Sequence, residues 1–216
     1  MSIQNNRISS PLKKTDKPAG AKSAAGRPRN EKATRDVLKA AMDLGMELGF
    51  DALTVEGVAA RTGVGKATIY RRWRNVWSIV ADAVLADTDQ IAPLQPGATA
   101  RESLHASMLL AARYFRGQRG QILRALIGRA QMDETLLKAL IEQWLLARRA
   151  VSREIVRRGI ASGELRPNLD VDIVLDALYG PLYHQLLLPY NGLRDVLSDS
   201  YIDALVDTVF GGLEQK

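Results

Sequence analysis

Between Arg61 and Arg74 the chain carries five cations, Arg61, Lys66, Arg71, Arg72 and Arg74, and no carboxylate. Guanidinium and ammonium groups concentrated in this way suit the neutralisation and hydrogen bonding of phosphate oxygens. Other chemistries lack their residues. With no cysteine there is no thiol nucleophile, thiolate metal site or disulfide framework. Two histidines, His105 and His184, are too few for an imidazole metal site. No metal-ligand spacing, phosphate-cradling glycine loop or nucleophile–base pair stands out. We therefore expect no metal and no cofactor, and a helical enzyme is the remote alternative.

The charge is distributed unevenly. Residues 1–35 hold nine Lys/Arg against two Asp/Glu, a net +7, whereas residues 36–86 are balanced and residues 87–216 carry −1. The positive excess thus lies at the end that holds the basic cluster, as expected for a polyanion partner. A chain of 216 residues with 46% hydrophobic content can bury a substantial core. There is no apolar leader and no run near the roughly 18 apolar residues of a membrane span, so the expected location is cytoplasmic, on the nucleoid if DNA is bound.

The elements that position the cluster are helical, since apolar residues recur at three- and four-residue steps and no convincing period-2 run exists. Met1–Asn30 is rich in Ser, Lys, Pro, Gly and Ala and is expected to be a disordered basic arm. Val37, Leu38, Ala41, Leu44 and Leu48 predict a first helix over Glu31–Leu48. Thr54 can cap a second through Thr62, Gly63-Val64-Gly65 a turn, Lys66–Arg72 a third helix, and Asn75 can cap a fourth through Ala86. Asp87–Gly97, with two prolines and a glycine, reads as a linker. Beyond it the pattern predicts helices over Ala98–Arg116, Gln118–Ala130, Asp133–Ser162 with a break near its start, Val171–Leu188 and Ser198–Leu213, with Pro189–Gly192 between the last two. The expected architecture is all-α, about nine helices: a DNA-binding domain over residues 31–86 and a larger helical domain over 98–216.

The stretch from Leu53 to Trp73 meets the needs of a helix-turn-helix. Ala59 is small enough for a close crossing, Gly63 permits a left-handed turn, and Val64 and Ile69 fill the space beneath. Val64-Gly65-Lys66-Ala67-Thr68-Ile69-Tyr70-Arg71-Arg72-Trp73, preceded by Leu53-Thr54-Val55, resembles the TetR-family signature. The resemblance implies a homodimer that binds palindromic double-stranded DNA, with the third helix in the major groove. It also implies a C-terminal domain that dimerises and takes a small hydrophobic effector whose binding releases the operator. By position, Thr54 would contact phosphate and Gly65, Lys66, Ala67, Thr68, Tyr70 and Arg71 would face the groove, with Arg72 beside them. Lys66 and Tyr70 suit phosphate; Thr68 and Arg71 suit base edges. Where the family often has a phosphate-binding lysine this chain has Val76, and Trp73 stands where phenylalanine is usual; both Trp73 and Trp77 read as packing residues. Gly26-Arg27-Pro28-Arg29 resembles arms that lie in a minor groove, through Arg27 and Arg29. An activator, or an architectural protein without effector, is the alternative.

The larger domain has no strong motif. Candidate walls of an effector site are Met108, Phe115, Leu123, Leu126, Leu140, Trp144, Tyr179 and Tyr183, with His184 as a hydrogen-bonding group. Apolar stripes Leu178, Leu182, Leu186 and Tyr201, Leu205, Val209 are candidate dimer contacts, because in the family the last two helices pair with their counterparts. Pro181, next to Gly180, predicts a kink.

Overall fold

The computed structural model describes residues 26–86, 98–188 and 197–213. Among the described residues there are nine α-helices, counting once the helix that a π turn interrupts, and no β-strand. The linker expected at Asp87–Gly97, the Pro189–Gly192 segment and the arm before Gly26 lie outside the described residues.

Helix α1 spans Gly26–Leu48 and is followed by a 3-10 turn, Phe50–Ala52. It starts earlier than its periodicity predicts. The backbone of Gly26–Asn30 is helical, so Arg27 and Arg29 stand at the beginning of α1. Pro28 is compatible with this because first-turn N–H groups have no intrahelical partner.

The next elements follow their caps. Thr54 Oγ1 accepts from Gly57 N at 3.1 Å and opens α2, Val55–Thr62. Gly63 closes it in the left-handed region, φ 69°, with its N–H on Ala59 O at 2.9 Å. A side chain there would be strained, which is why the turn uses glycine. Helix α3 is short, Lys66–Tyr70. Asn75 Oδ1 accepts from Ser78 N at 2.9 Å at the start of α4, Val76–Ala86. Val37, Ala41, Leu44, Val58, Ile69, Ile79, Val80 and Val84 are buried together between these four helices.

Helix α5, Ala100–Arg116, opens with a Thr99–Glu102 capping box. The Glu164 carboxylate also accepts from Ala100 N at 2.8 Å and Arg101 N at 3.1 Å, matching negative charge to the helix's positive end. Helix α6, Gln118–Ala130, turns back sharply: a Cβ on Gly120 would lie 2.0 Å from Phe115 O, so that corner closes only around glycine. Helix α7 covers 134–161, as Glu134–Ala139, a π turn at Leu140–Leu145, and Leu146–Ala161. The expected break is thus a change of hydrogen-bond pitch. Asp170 caps α8, Val171–Leu187, which contains Pro181, and Ser198 caps α9, Asp199–Phe210.

Helices α1 and α4 pack on α6, and α4 also meets α7, so one apolar core runs from the first four helices into the larger bundle. Leu178, Leu182 and Leu186 are 0% exposed within this single chain. They are interior residues, which corrects their assignment to a dimer contact. Tyr201, Leu205 and Val209 are half-buried against the same core. Helices α5 and α9 are further tied along their length by Arg101–Asp207, His105–Asp203 at 2.6 Å, and Arg113 and Arg116 on Asp199, each at 2.8 Å.

Candidate nucleic-acid interface and ligand cleft

Helix α3 is held by one buried side chain, Ile69 at 0% exposure; Gly65, Lys66, Ala67, Thr68, Tyr70, Arg71 and Arg72 are all exposed. Thr54 is exposed as well, at the α2 N-terminus, where its hydroxyl oxygen is already the cap acceptor. Each residue of the expected groove-facing set is therefore open to solvent near the turn.

It also brings in a residue that the sequence pattern did not flag. Glu56 lies 3.5 Å from Lys66 Nζ, and its carboxyl is held below the ordinary range, chiefly by its own backbone N–H and further by Lys66 and Tyr70. A carboxylate among groups that suit phosphate sets a charge that DNA must displace. Its one available signal was its place in the first turn of α2.

The five cations divide by task. Arg61 is turned back onto Glu47 of α1, at 3.2 and 2.5 Å, and that hydrogen bond is the main cause lowering the Glu47 carboxyl. Arg72 donates to Thr34 of α1 and lies 4.9 Å over the Trp73 ring, so it braces the helix more than it faces the groove. Arg71 and Arg74 make no ion pair or side-chain hydrogen bond among the described residues. Trp73 is 4% exposed and hydrogen-bonded to Asp82, and Trp77 sits 6.1 Å from Phe50, so both are packing residues.

In the larger bundle, α5, α7 and α8 border a cleft that is partly open to solvent. Of the expected walls, Phe115, Trp144, Tyr179 and Tyr183 line it. Met108, Leu123, Leu126 and Leu140 do not; they are buried in the core, where apolar side chains on inward helix faces normally end up. His184 is exposed on α8 and is also outside the lining. Sequence reasoning missed Ser107, Tyr114, Arg148, Arg149 and Ser152. Four of these, Ser107, Arg148, Arg149 and Ser152, are polar or charged residues on amphipathic helices, which periodicity assigns to solvent. Tyr179 O–H and Ser152 Oγ are 3.3 Å apart, and burial raises both the Tyr179 and the Tyr183 hydroxyl. Both phenols therefore stay protonated at neutral pH.

Residues 37–76 match the family described as bacterial regulatory proteins, tetR family, and residues 96–209 match the tetracyclin repressor-like C-terminal domain. The chain belongs to the TetR family. It is 37% identical over 194 residues to the HTH-type transcriptional regulator YdeS of Bacillus subtilis (strain 168), covering 89% of this chain and 95% of that one. It is 26% identical to the DNA-binding transcriptional repressor TetR of Mycobacteroides abscessus, over 84% of this chain and 93% of that one. Among solved structures, the TetR family transcription regulator SCO0332 superposes with a TM-score of 0.65 at 31% identity, over 84% of this chain and 98% of that chain. FadR from Bacillus subtilis, in complex with stearoyl-CoA, shares the fold, with a TM-score of 0.69 at 19% identity over 82% and 98%.

This TetR-family chain is accordingly a DNA-binding regulator of transcription. It buries Val76, 9% exposed, at the position where the family pattern often supplies a lysine. No described helix is long and apolar enough to cross a membrane.

Proposed function

We propose that the protein is a homodimeric repressor that holds a palindromic operator and leaves it when a small effector enters the α5–α7–α8 cleft. The observation that carries this reading is the open α3 face, where Lys66, Thr68, Tyr70 and Arg71 stand beside the turn on a helix buried only through Ile69. One such helix reads a short half-site, and two-fold pairing doubles the contacts. The protein works in the cytoplasm on the nucleoid and performs no catalysis.

The pairing face is the outward side of α8, not the leucine stripe. Ile173, Ala177, Gly180, His184 and Leu187 are exposed at three- and four-residue spacing, with Ile173 at 67%. A Cβ on Gly180 would meet nothing within 4 Å, so a second copy's backbone has room to approach. The cleft reaches this helix through Arg149, which lines it and also binds Asp172 at 2.8 Å and Asp176 at 2.6 Å on α8. A ligand that prefers one arrangement of these elements shifts the population of DNA-competent dimers.

Selection of binding sites from random DNA by the full chain is expected to enrich a two-fold motif with half-sites about one helical turn, ~34 Å, apart. Arg71→Ala should cost about 1–3 kcal/mol at one base pair per half-site. Lys66→Ala should weaken every sequence and remove about one ion from the salt slope. Glu56→Gln, which removes the counter-charge of Lys66, should strengthen every sequence. Enrichment of no two-fold motif overturns the dimeric reading. Reporter expression that falls on deletion of the protein would make it an activator.

A further inference from the structure

The cleft is one-sided in its chemistry. Among the described residues, Arg148 and Arg149 are its charged lining residues and no carboxylate lines it. Trp144 is 3% exposed, yet its Nε1 is buried with no hydrogen-bond partner among the described residues. An indole N–H can only donate, so what it lacks is an acceptor. Trp144 enters the cleft from the π turn at Leu140–Leu145, a local pitch change of a kind that recurs at functional sites.

The walls are rings set at angles to one another. Phe115 and Tyr183 have centroids 5.3 Å apart at 59°, and Trp144 meets Tyr183 edge-on at 6.2 Å and 84°. Such a box offers both ring faces and ring edges to a flat π system. Arg149 is ion-paired with Asp172 and Asp176 on α8, and Arg148 donates to the Trp144 backbone carbonyl at 3.3 Å. The Arg148 guanidinium stands 4.4 Å over the Trp144 ring, on the same side chain that holds the unmet donor.

We infer that the cleft selects a planar aromatic acid, with its rings among Trp144, Phe115 and Tyr183 and its anionic oxygens on Arg148 and Trp144 Nε1. This rests on the effector-controlled reading above and narrows its hydrophobic effector to a chemical class. Charge-assisted bonds to a carboxylate are roughly twice as strong as neutral ones, so the acid should outbind its amide. An acyl chain of similar size satisfies the donors but leaves the ring faces without an aromatic partner.

The test is calorimetric titration of the full-length chain, without DNA, with 2-naphthoate, 2-naphthamide and decanoate. The aromatic acid is expected to bind about tenfold or more tightly than either of the others. Arg148→Met keeps the stem that covers Trp144 and should erase the preference for acid over amide; Arg148→Lys should keep part of it. Circular dichroism melting of each variant establishes that it is folded. Equal binding of acid and amide, tighter binding of decanoate, no binding of 2-naphthoate, or an unchanged preference in folded Arg148→Met overturns the inference. Each of these results leaves intact the DNA-binding reading, which the site selection tests separately.

Discussion

Trp73 Nε1 donates to Asp82 Oδ2 at 2.7 Å, closing the corner between the end of α3 and the second turn of α4. With Arg72 reaching Thr34 from the neighbouring position, the far end of α3 is fixed to both α4 and α1. The orientation of α3 is thus set by side-chain hydrogen bonds as well as by the burial of Ile69.

Trp73→Phe keeps an aromatic ring in the core and deletes the donor to a half-buried carboxylate. It should lower stability by about 1.5–3 kcal/mol, the range for hydrogen bonds to charged groups. Asp82→Asn keeps an acceptor and should cost less. Urea unfolding of the two variants checks the order; equal midpoints in both variants and the wild type would show that the bond contributes nothing.

Acid should loosen the protein through its paired carboxylates. Glu47 is lowered from 4.5 chiefly by its hydrogen bond from Arg61, Asp172 from 3.8 by Arg149 and Arg153, and Asp199 from 3.8 by Arg113 and Arg116. A folded-state pKa below the unfolded one means that the unfolded chain binds more protons, so the contribution is complete above the unfolded values and fades as pH falls through the lowered ones. The urea midpoint should therefore drop on going from about pH 5 to pH 3. Asp199→Asn should flatten that slope, and salt should shrink it because all three groups are exposed to solvent. A slope identical in Asp199→Asn would remove that pair from the account.

Two substitutions on α8 should separate interior from interface. Leu182→Ala creates a cavity at a 0% exposed position and should cost about 2–5 kcal/mol of stability. Gly180→Arg enters open space on the outward face, and arginine is the better helix former, so the protomer should stay folded while the dimer dissociates. Sedimentation equilibrium with thermal melting reads both. A Gly180→Arg protein that remains dimeric would place the pairing face elsewhere.

The all-helical class, most helix boundaries and the helix-turn-helix were legible in the sequence because each rests on local physics. Thr54, Gly63, Asn75 and Asp170 cap or stop helices through contacts within a few residues of themselves. The exposed α3 set was legible for the same reason: once Ile69 faces inward on a five-residue helix, its neighbours must face out.

Periodicity identifies an apolar stripe but not what covers it. Leu178, Leu182 and Leu186 carried the dimer expectation and are spent inside the protomer, while the outward face runs through Ile173, Ala177 and Gly180. The cleft failed in the same way: Met108, Leu123, Leu126 and Leu140 look like pocket walls in sequence, but only long-range packing leaves space beside Trp144, Tyr179 and Tyr183.

The basic run from Arg61 to Arg74 is where the two levels differ most. The sequence by itself determined that five cations and no carboxylate lie between Arg61 and Arg74, because composition and spacing are local properties. Only the tertiary structure decided how they are used. Folding brought Glu47 of α1 to Arg61, Glu56 of α2 to Lys66 and Thr34 of α1 to Arg72, leaving Arg71 and Arg74 as the cations without such partners among the described residues. Those pairings join residues up to 38 positions apart, and a charge finds its counter-charge through distance in space, which helical spacing cannot encode.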